Sequence, residues 1–396
     1  MTTTVIIDGA RTPVGKLLGA LSSLSAAELG SVAIRGALER SGVAADQVDA
    51  VIMGNVVQAG AGPNPARPAA AGAGIPMNVP ATTINKLCLS GLVAVALADQ
   101  AIRLGHHQVV VAGGMESMTG APHLLLGSRQ GYKYGATHVA DALDRDALIC
   151  AFDDISMGAA TESYGRSYTI TRDEMDAFAA QSHQRAAAST ASGRLAQEIV
   201  PVEIKGRKGV VTVTEDEGIR ADTTAESLGG LRPAFDKEGS ITAGNASQLS
   251  DGAAALVLAS KDWAIEHGLP WLAEIVSHGE VAGPDPSLLL QPAAAIKDAV
   301  ARSGGAVTLD DLDIVELNEA FASVGLASAR DLGLDEAIVN VNGGAIALGH
   351  PVGMSGARIL LSAAYELRNR GGGTGAVALC GGGGQGEAII FTVPKA

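Results

Sequence analysis

One strand–helix–strand pattern occurs twice in this chain, and that repetition restricts its fold more than any other feature of the 396 residues. Val43 to Asn55 and Val307 to Glu319 share one arrangement, an Asp-rich turn leading into an apolar strand, at Ala50 to Met53 and at Ile314 to Leu317. Farther on, Ser90-Gly91 opens a helical stretch that ends near Gly105, and a strand runs from Val109 into Gly113-Gly114. The later copy has Ser355-Gly356, a helix to about Arg370, and a strand from Ala376 into Gly381-Gly382. The shift is 264 to 265 residues and grows slightly after the helix. Two matches in the same order at one shift favour duplication over chance. The strands are apolar on both faces, as in sheets covered on both sides, so the expectation is an α/β protein built from two similar halves.

Composition agrees with tight layering. Fifty-one glycines and an aromatic share of 3% let helices and sheets approach closely. A hydrophobic fraction of 47% against 18% charged residues describes a globular chain with ample core. From about Thr119 to Leu249 the character changes: four of the five tyrosines fall there, with many charges and short helical and loop patterns. Within it, Thr171 with Glu174 three residues on forms a capping box, and Met175, Phe178, Ala179 and Ser182 give the stripe of an amphipathic helix over 172–192. The expected organisation is a first core half at 1–118 plus 250–270, a loop domain at 119–249 over its mouth, and a second core half at 271–396.

Three cysteines, an odd count at wide spacing, oppose a disulfide framework and point to a reducing, cytoplasmic setting. The N-terminus has no basic region and no signal-peptide core, and no stretch of about 18 apolar residues is present to span a bilayer. A net charge of −14 opposes nucleic-acid binding, which rests on phosphate neutralisation, but leaves room for a small polyanion met by a few local basic residues.

Four segments carry chemistry. In Asn85-Lys-Leu-Cys-Leu-Ser-Gly, Cys88 stands at or just before a helix N-terminus, where the helix dipole is expected to lower a thiol pKa. Taken alone, a small cysteine packed at a turn explains the position as well. In Asn342 to Arg358, His350 lies between glycines and before Pro351, at a break between elements, suited to stabilising a thiolate or shuttling its proton. His106, His107 and His183 fall in polar surroundings and read as surface groups. Leu379 to Gly386 places Cys380 before a glycine run that lacks the Lys-Ser/Thr of a phosphate loop and leads into another strand. A turn whose bare N–H groups face a developing oxyanion fits it better. In Glu316 to Ala322, Asn318 sits at a strand-to-helix turn, either as a cap or as an amide holding a water or a carbonyl. No spacing of metal ligands accompanies either cysteine.

Together these segments resemble the thiolase family, as do Ile6 to Pro13, Gly113 to Met118, Leu231 to Asp236 and Thr242 to Ser247 with Asp251-Gly-Ala-Ala. The motifs follow the family's order along the whole chain. The resemblance implies a thiolase-like five-layered αβαβα fold from two duplicated halves with an inserted loop domain, assembled as a homotetramer. It implies acyl transfer between coenzyme A thioesters through a covalent acyl-enzyme: two acetyl-CoA giving acetoacetyl-CoA and CoA, and the reverse thiolysis. Cys88 would carry the acyl group, and His350 would activate it and form one oxyanion site with Asn318 and a water. Cys380 would move the α-proton, and the N–H groups of Cys88 and Gly382 would form the second oxyanion hole. Coenzyme A would lie along Arg220, Ser227, Leu231, Phe235, Ala246, Ser247 and Met157. It is a substrate; no permanently bound cofactor and no metal is implied, and neither nucleic acid nor membrane is a partner.

The chain departs from the family pattern at Ser156, where His often precedes Met-Gly, at Gln248 and Ser250, and near Leu288, where a Met often lines the acyl pocket. These leave open a 3-ketoacyl-CoA thiolase for longer chains. A β-ketoacyl synthase-like enzyme is opposed by Cys380 in its glycine turn. A non-catalytic acyl-CoA or lipid-binding relative is opposed by the presence of Cys88, His350 and Cys380 together.

Overall fold

The computed structural model describes residues 2–207 and 209–395. The first half contains β1 (Thr4–Arg11), β2 (Gly15–Lys16), α1 (Ala26–Ser41), β3 (Ala50–Gly54), α2 (Ala66–Gly72), β4 (Ala81–Ile84), α3 (Ser90–Arg103) and β5 (Val109–Ser117). The intervening segment holds β6 (His123–Leu124), β7 (Ala140–Asp141), α4 (Met157–Gly165), α5 (Arg172–Ala191), β8 (Val202–Gly206), β9 (Gly209–Val213) and α6 (Ala225–Gly229). The chain re-enters the first half through β10 (Ser250–Ser260) and α7 (Lys261–Glu266). The second half follows with β11 (Ala273–Ala282), α8 (Gln291–Arg302), β12 (Ile314–Leu317), α9 (Ala322–Leu332), α10 (Ala345–Leu348), α11 (Ser355–Asn369), β13 (Gly373–Gly381) and β14 (Gln385–Val393).

The strand order is β12-β13-β14-β11-β1-β10-β5-β3-β4, with β2 added on β10. The two halves meet at a short seam, where Val5 and Ile6 of β1 pair with Glu274 and Ala273 of β11. Three apolar cores explain the layering. One is built by α1 and α2 against the outer face of the first half sheet, and a second by α8 and α9 against the outer face of the other. The largest lies between the halves and takes side chains from α3, α11, β5, β10, β13 and β14. Layers therefore run helix, sheet, helix pair, sheet, helix, which is the expected five-layered arrangement.

The repetition seen in the sequence is structural. In the first half β3 pairs in parallel with β5 and, from Val51 to Ala81, with β4. In the second, β12 pairs in parallel with β13, and Val315 bridges in parallel to Val339. The two central helices cross at Gly91 and Gly356, the same position in each copy. A Cβ on Gly356 would stand 2.3 Å from the Leu92 backbone nitrogen, and one on Gly91 2.8 Å from the Gly353 carbonyl oxygen. Only glycine allows so close a crossing, and it brings the starts of both helices together at the centre of the molecule.

The capping box on α5 forms as the sequence predicts: the Thr171 hydroxyl accepts from the Glu174 N–H, and the Glu174 carboxylate accepts from the Thr171 N–H. His183, expected at the surface, is instead fully buried on this helix. Its Nδ1 accepts the Arg220 N–H at 3.2 Å, and burial lowers its pKa to about 4.

Candidate active site

The loop bearing Cys88 is fixed by its own side chains before anything packs on it. The Asn85 side-chain oxygen accepts the Leu87 N–H at 2.9 Å. Ser90 Oγ accepts the Lys86 N–H at 2.8 Å and donates to the Leu87 carbonyl at 2.6 Å. These bonds hold Leu87 in the left-handed region, at φ 52°, a conformation uncommon for a branched residue. Cys88 is thereby turned inward two residues ahead of α3. The expectation of a lowered thiol pKa is overturned. The thiol is half-buried among apolar groups and pushed up to about 12, with nearby Glu116 adding to the rise, and the backbone N–H contribution is too small to offset desolvation.

Glu116 is itself buried between the halves. Its carboxylate accepts from the N–H groups of Val56, Val57 and Gly353 and from the Asn55 side chain, so one residue of β5 binds both the loop after β3 and the turn after His350.

His350 follows α10, whose last turn ends at Gly349 with φ 107°. Its backbone N–H donates to the Gln248 carbonyl at 3.0 Å. The Gln248 amide in turn donates to the carbonyls of Gly218, Ile346 and Ala347, so this departure from the family pattern anchors the histidine loop. The His350 ring lies with Nδ1 2.6 Å from Ser355 Oγ, and that hydroxyl also donates to the Pro351 carbonyl at 3.1 Å. A hydroxyl has one proton to give. With it on Pro351, the serine accepts from Nδ1–H, and Nε2 carries the ring's lone pair. Asn318 Nδ2, 3.4 Å away, faces that nitrogen. Burial lowers the His350 pKa to about 3, with the Arg358 charge acting in the same direction, so the ring is neutral.

Asn318 is not a helix cap; Phe321 holds that position on α9. Its backbone N–H donates to the Ala378 carbonyl, two residues from Cys380. Its side-chain oxygen is buried without a partner among the described residues, an unused acceptor close to His350.

Cys380 is the next-to-last residue of β13, and Gly382–Gly384 make the turn into β14, with Gly383 and Gly384 at φ 77° and 70°. A Cβ on Gly382 would meet Leu87 and Met157, and one on Gly381 would meet Leu89, so this turn lies directly on the Cys88 loop. Burial raises the Cys380 pKa strongly, and the neighbouring Cys88 adds to the shift.

His350 lines a cavity of about 460 Å³, and the two thiols stand behind its wall, each packed against residues that line it. Cys88 belongs to an apolar cluster with Met118, Leu148 and Val352, and Cys380 to one with Met157, Ala246 and Phe321, all of which line the cavity beside His350. Of the residues expected along coenzyme A, Met157, Phe235, Ala246 and Ser247 line this cavity. Arg220, Ser227 and Leu231 stand outside its wall, exposed on the intervening segment, with Leu231 against Gly244. Leu288 is buried in the cluster that holds Cys380. Sequence reasoning passed over Ser355, Glu116 and Lys86 as site residues. Ser355 had a signal, because it occupies in the second copy the place that Ser90 occupies in the first.

Two thiols and a neutral imidazole, drawn from two copies of one strand–helix unit, lie on or just behind the wall of one cavity, an arrangement suited to acyl transfer. The chain belongs to the thiolase family: residues 4–262 match the thiolase N-terminal domain and residues 269–393 the thiolase C-terminal domain. It is 59% identical over 388 residues to a probable acetyl-CoA acetyltransferase of Mycolicibacterium smegmatis, covering 98% of this chain and 100% of that protein. It is 46% identical to the acetyl-CoA acetyltransferase of Escherichia coli over 98% of each chain. The crystal structure of the Bacillus anthracis acetyl-CoA acetyltransferase superposes with a TM-score of 0.96 at 41% identity, covering 99% of both chains.

Proposed function

We propose that the protein is an acetyl-CoA acetyltransferase that joins two acetyl-CoA into acetoacetyl-CoA and CoA, and runs the reverse thiolysis, by a ping-pong mechanism. The observation that supports the reading is that Cys88 and Cys380 neighbour one another just behind the wall of the cavity that His350 lines. The relatives' names support acetyl as the acyl group.

At rest the thiols are protonated and the imidazole is neutral, because burial opposes charge on all three. Cys88 Sγ attacks the acetyl carbonyl and its proton passes to His350 Nε2, the ring nitrogen that carries the lone pair. The resulting N–H faces the oxyanion, together with a water held by the Asn318 side-chain oxygen. The bond to the coenzyme sulfur breaks, that sulfur takes the Cys380 proton, and CoA leaves as a thiol. Cys380 is now a thiolate whose conjugate acid is unusually weak, so it is a strong base for the α-proton of a second acetyl-CoA. The carbanion attacks the acetyl-Cys88 carbonyl, Cys88 departs as a thiolate and recovers its proton from His350, and acetoacetyl-CoA is released. The N–H groups of Cys88 and Gly382 serve the second oxyanion, each such donor being worth about 3 kcal/mol in a transition state.

Coenzyme A enters along Phe235, Ala246, Ser247 and Met157, with Leu231, Ser227 and Arg220 along its outer portion, where Arg220 supplies local positive charge. A cytoplasmic homotetramer fits the three free cysteines and the family. No helix of the described residues is long and apolar enough to cross a membrane. The roles separate by experiment. Cys88→Ala abolishes labelling by radioactive acetyl-CoA, and labelling at another residue would reject the nucleophile. Cys380→Ser still acetylates but forms no acetoacetyl-CoA, and normal condensation by that variant would remove Cys380 as the base.

A further inference from the structure

The two thiol-bearing segments are joined by an ion cluster that the acyl-transfer chemistry leaves unexplained. Glu280 of β11 and Glu387 of β14 stand directly opposite one another in the antiparallel register. Like charges in that relation repel, so two carboxylates there need a cation between them. The cation comes from the other half of the molecule. Lys86 Nζ donates to Glu387 Oε2 at 2.9 Å and also to Glu280 Oε1. The Glu387 side chain is 5% exposed and that of Lys86 18%, whereas that of Glu280 is 62% exposed, so Lys86–Glu387 is the pair least screened by water.

The placement of the pair relates it to the reaction. Lys86 lies two residues before Cys88, and its backbone is held by Ser90 at the start of α3. Glu387 pairs across the hairpin with Leu379, the residue before Cys380. The ion pair therefore links the backbone on either side of the two sulfurs. The apolar contacts of Leu87 and Leu89 with the glycine turn can slide; a hydrogen-bonded ion pair has a direction and a length.

We propose that Lys86 and Glu387 are positioning residues that set the separation of Cys88 and Cys380, acting on carbon–carbon bond formation far more than on acylation of Cys88. Acylation needs Cys88 and His350, whereas condensation also needs Cys380 at a fixed reach from the acetyl group on Cys88. A displacement of about 1 Å between reacting groups costs up to about 100-fold in rate.

The proposal rests on the acyl-transfer reading, and its test separates the two. Glu387→Gln and Lys86→Met are compared with wild type in three assays: acetyl labelling of Cys88, acetoacetyl-CoA formation, and cross-linking of Cys88 to Cys380 by a short bifunctional thiol reagent. In each variant, labelling is expected to stay within about threefold while condensation falls about tenfold or more and cross-link yield drops. The exchanged pair, Lys86→Glu with Glu387→Lys, is expected to regain most of both. Asp99→Asn breaks a different tie between the halves, the 2.6 Å contact of Asp99 with His278, and serves as the control for lost stability alone. Equal losses in labelling and condensation, or an unchanged cross-link yield in the single variants, overturn the proposal. Absence of acetyl labelling in the wild type would instead reject the acyl-transfer reading, and the cross-link comparison would still decide whether the pair sets the thiol separation.

Discussion

Replacing Gly356 by alanine tests whether the helix crossing fixes the site. In an isolated helix the change is favourable by about 1 kcal/mol, because alanine loses less backbone entropy. In this structure the new Cβ would stand 2.3 Å from the Leu92 nitrogen, 2.7 Å from its Cβ and 2.9 Å from its Cα. Carbon contacts are comfortable at about 3.5 Å, so relief requires α3 and α11 to part by about 1 Å. The opposing atoms are mostly helix backbone and cannot rotate away as a side-chain tip would. Overpacking of this kind costs about 1–3 kcal/mol or more, and the rigid neighbours put this site at the upper end, leaving a net loss of about 2 kcal/mol. The same displacement moves Cys88, just ahead of α3, relative to His350, just ahead of α11, so turnover should fall about 10- to 100-fold. Urea unfolding at one fixed protein concentration gives the stability change, and acetoacetyl-CoA thiolysis gives the rate. Gly229→Ala is the control: it ends α6 with no atom within 4 Å of the added methyl, and should change stability by no more than about 0.5 kcal/mol. A Gly356→Ala variant with wild-type midpoint and rate would show that the crossing does not hold the two helix starts in place.

Two further outcomes follow from single contacts. Ser355→Ala removes the only hydrogen-bond partner of His350 Nδ1 among the described residues; acetylation of Cys88 should slow about 10- to 100-fold while stability falls by only about 1 kcal/mol, and equal acetylation rates would mean that the ring needs no such support. His183 has a native pKa of about 4, below the ordinary value of 6.5, so the unfolded chain binds its proton more readily and stability falls as pH drops from about 6.5 to about 4, by about 2–3 kcal/mol at most. His183→Gln keeps an acceptor for the Arg220 N–H but does not titrate, so the unfolding midpoint measured from pH 7 to 4.5 should lose that part of its slope; superimposable profiles would contradict the assignment.

The duplicated core was legible because close packing demands particular residues at particular places. Ser90-Gly91 and Ser355-Gly356 recur since each serine bonds back to its own turn and each glycine admits the other helix. Cys88, His350 and Cys380 stood out for the same reason, each lying where glycine or proline interrupts an element. What escaped depends on groups remote in the chain. The helix dipole acting on Cys88 is local and can be read from neighbours, whereas the desolvation that outweighs it comes from Met118, Leu148 and Val352. The cation between Glu280 and Glu387 arrives from a loop 194 residues before the first and 301 before the second. His183 is a different failure. Its sequence neighbours are polar, but Met175, Ala179 and Ala186 mark the buried stripe of α5, and His183 lies on it by helical spacing.

The duplication also accounts for how one scaffold came to hold two unlike reactive groups. A shift of 265 residues places Cys88 on Gly353 and Asn85 on His350. In the first copy the side chain at the earlier position closes the turn, Asn85 accepting the Leu87 N–H, and the later position carries the thiol. In the second copy the earlier position carries the imidazole, and the later one is a glycine whose N–H is bound by Glu116. A Cβ at Gly353 would stand 2.7 Å from the Met115 carbonyl and 2.9 Å from the Glu116 carboxylate, so a second thiol at the matching place would displace the residue that binds the two helix starts together. The second thiol has to come from elsewhere, and the end of β13 beside the Cys88 loop supplies it. A cysteine introduced as Gly353→Cys should therefore fail to replace Cys380 in a Cys380→Ser background, and condensation recovered by that double variant would refute the steric argument.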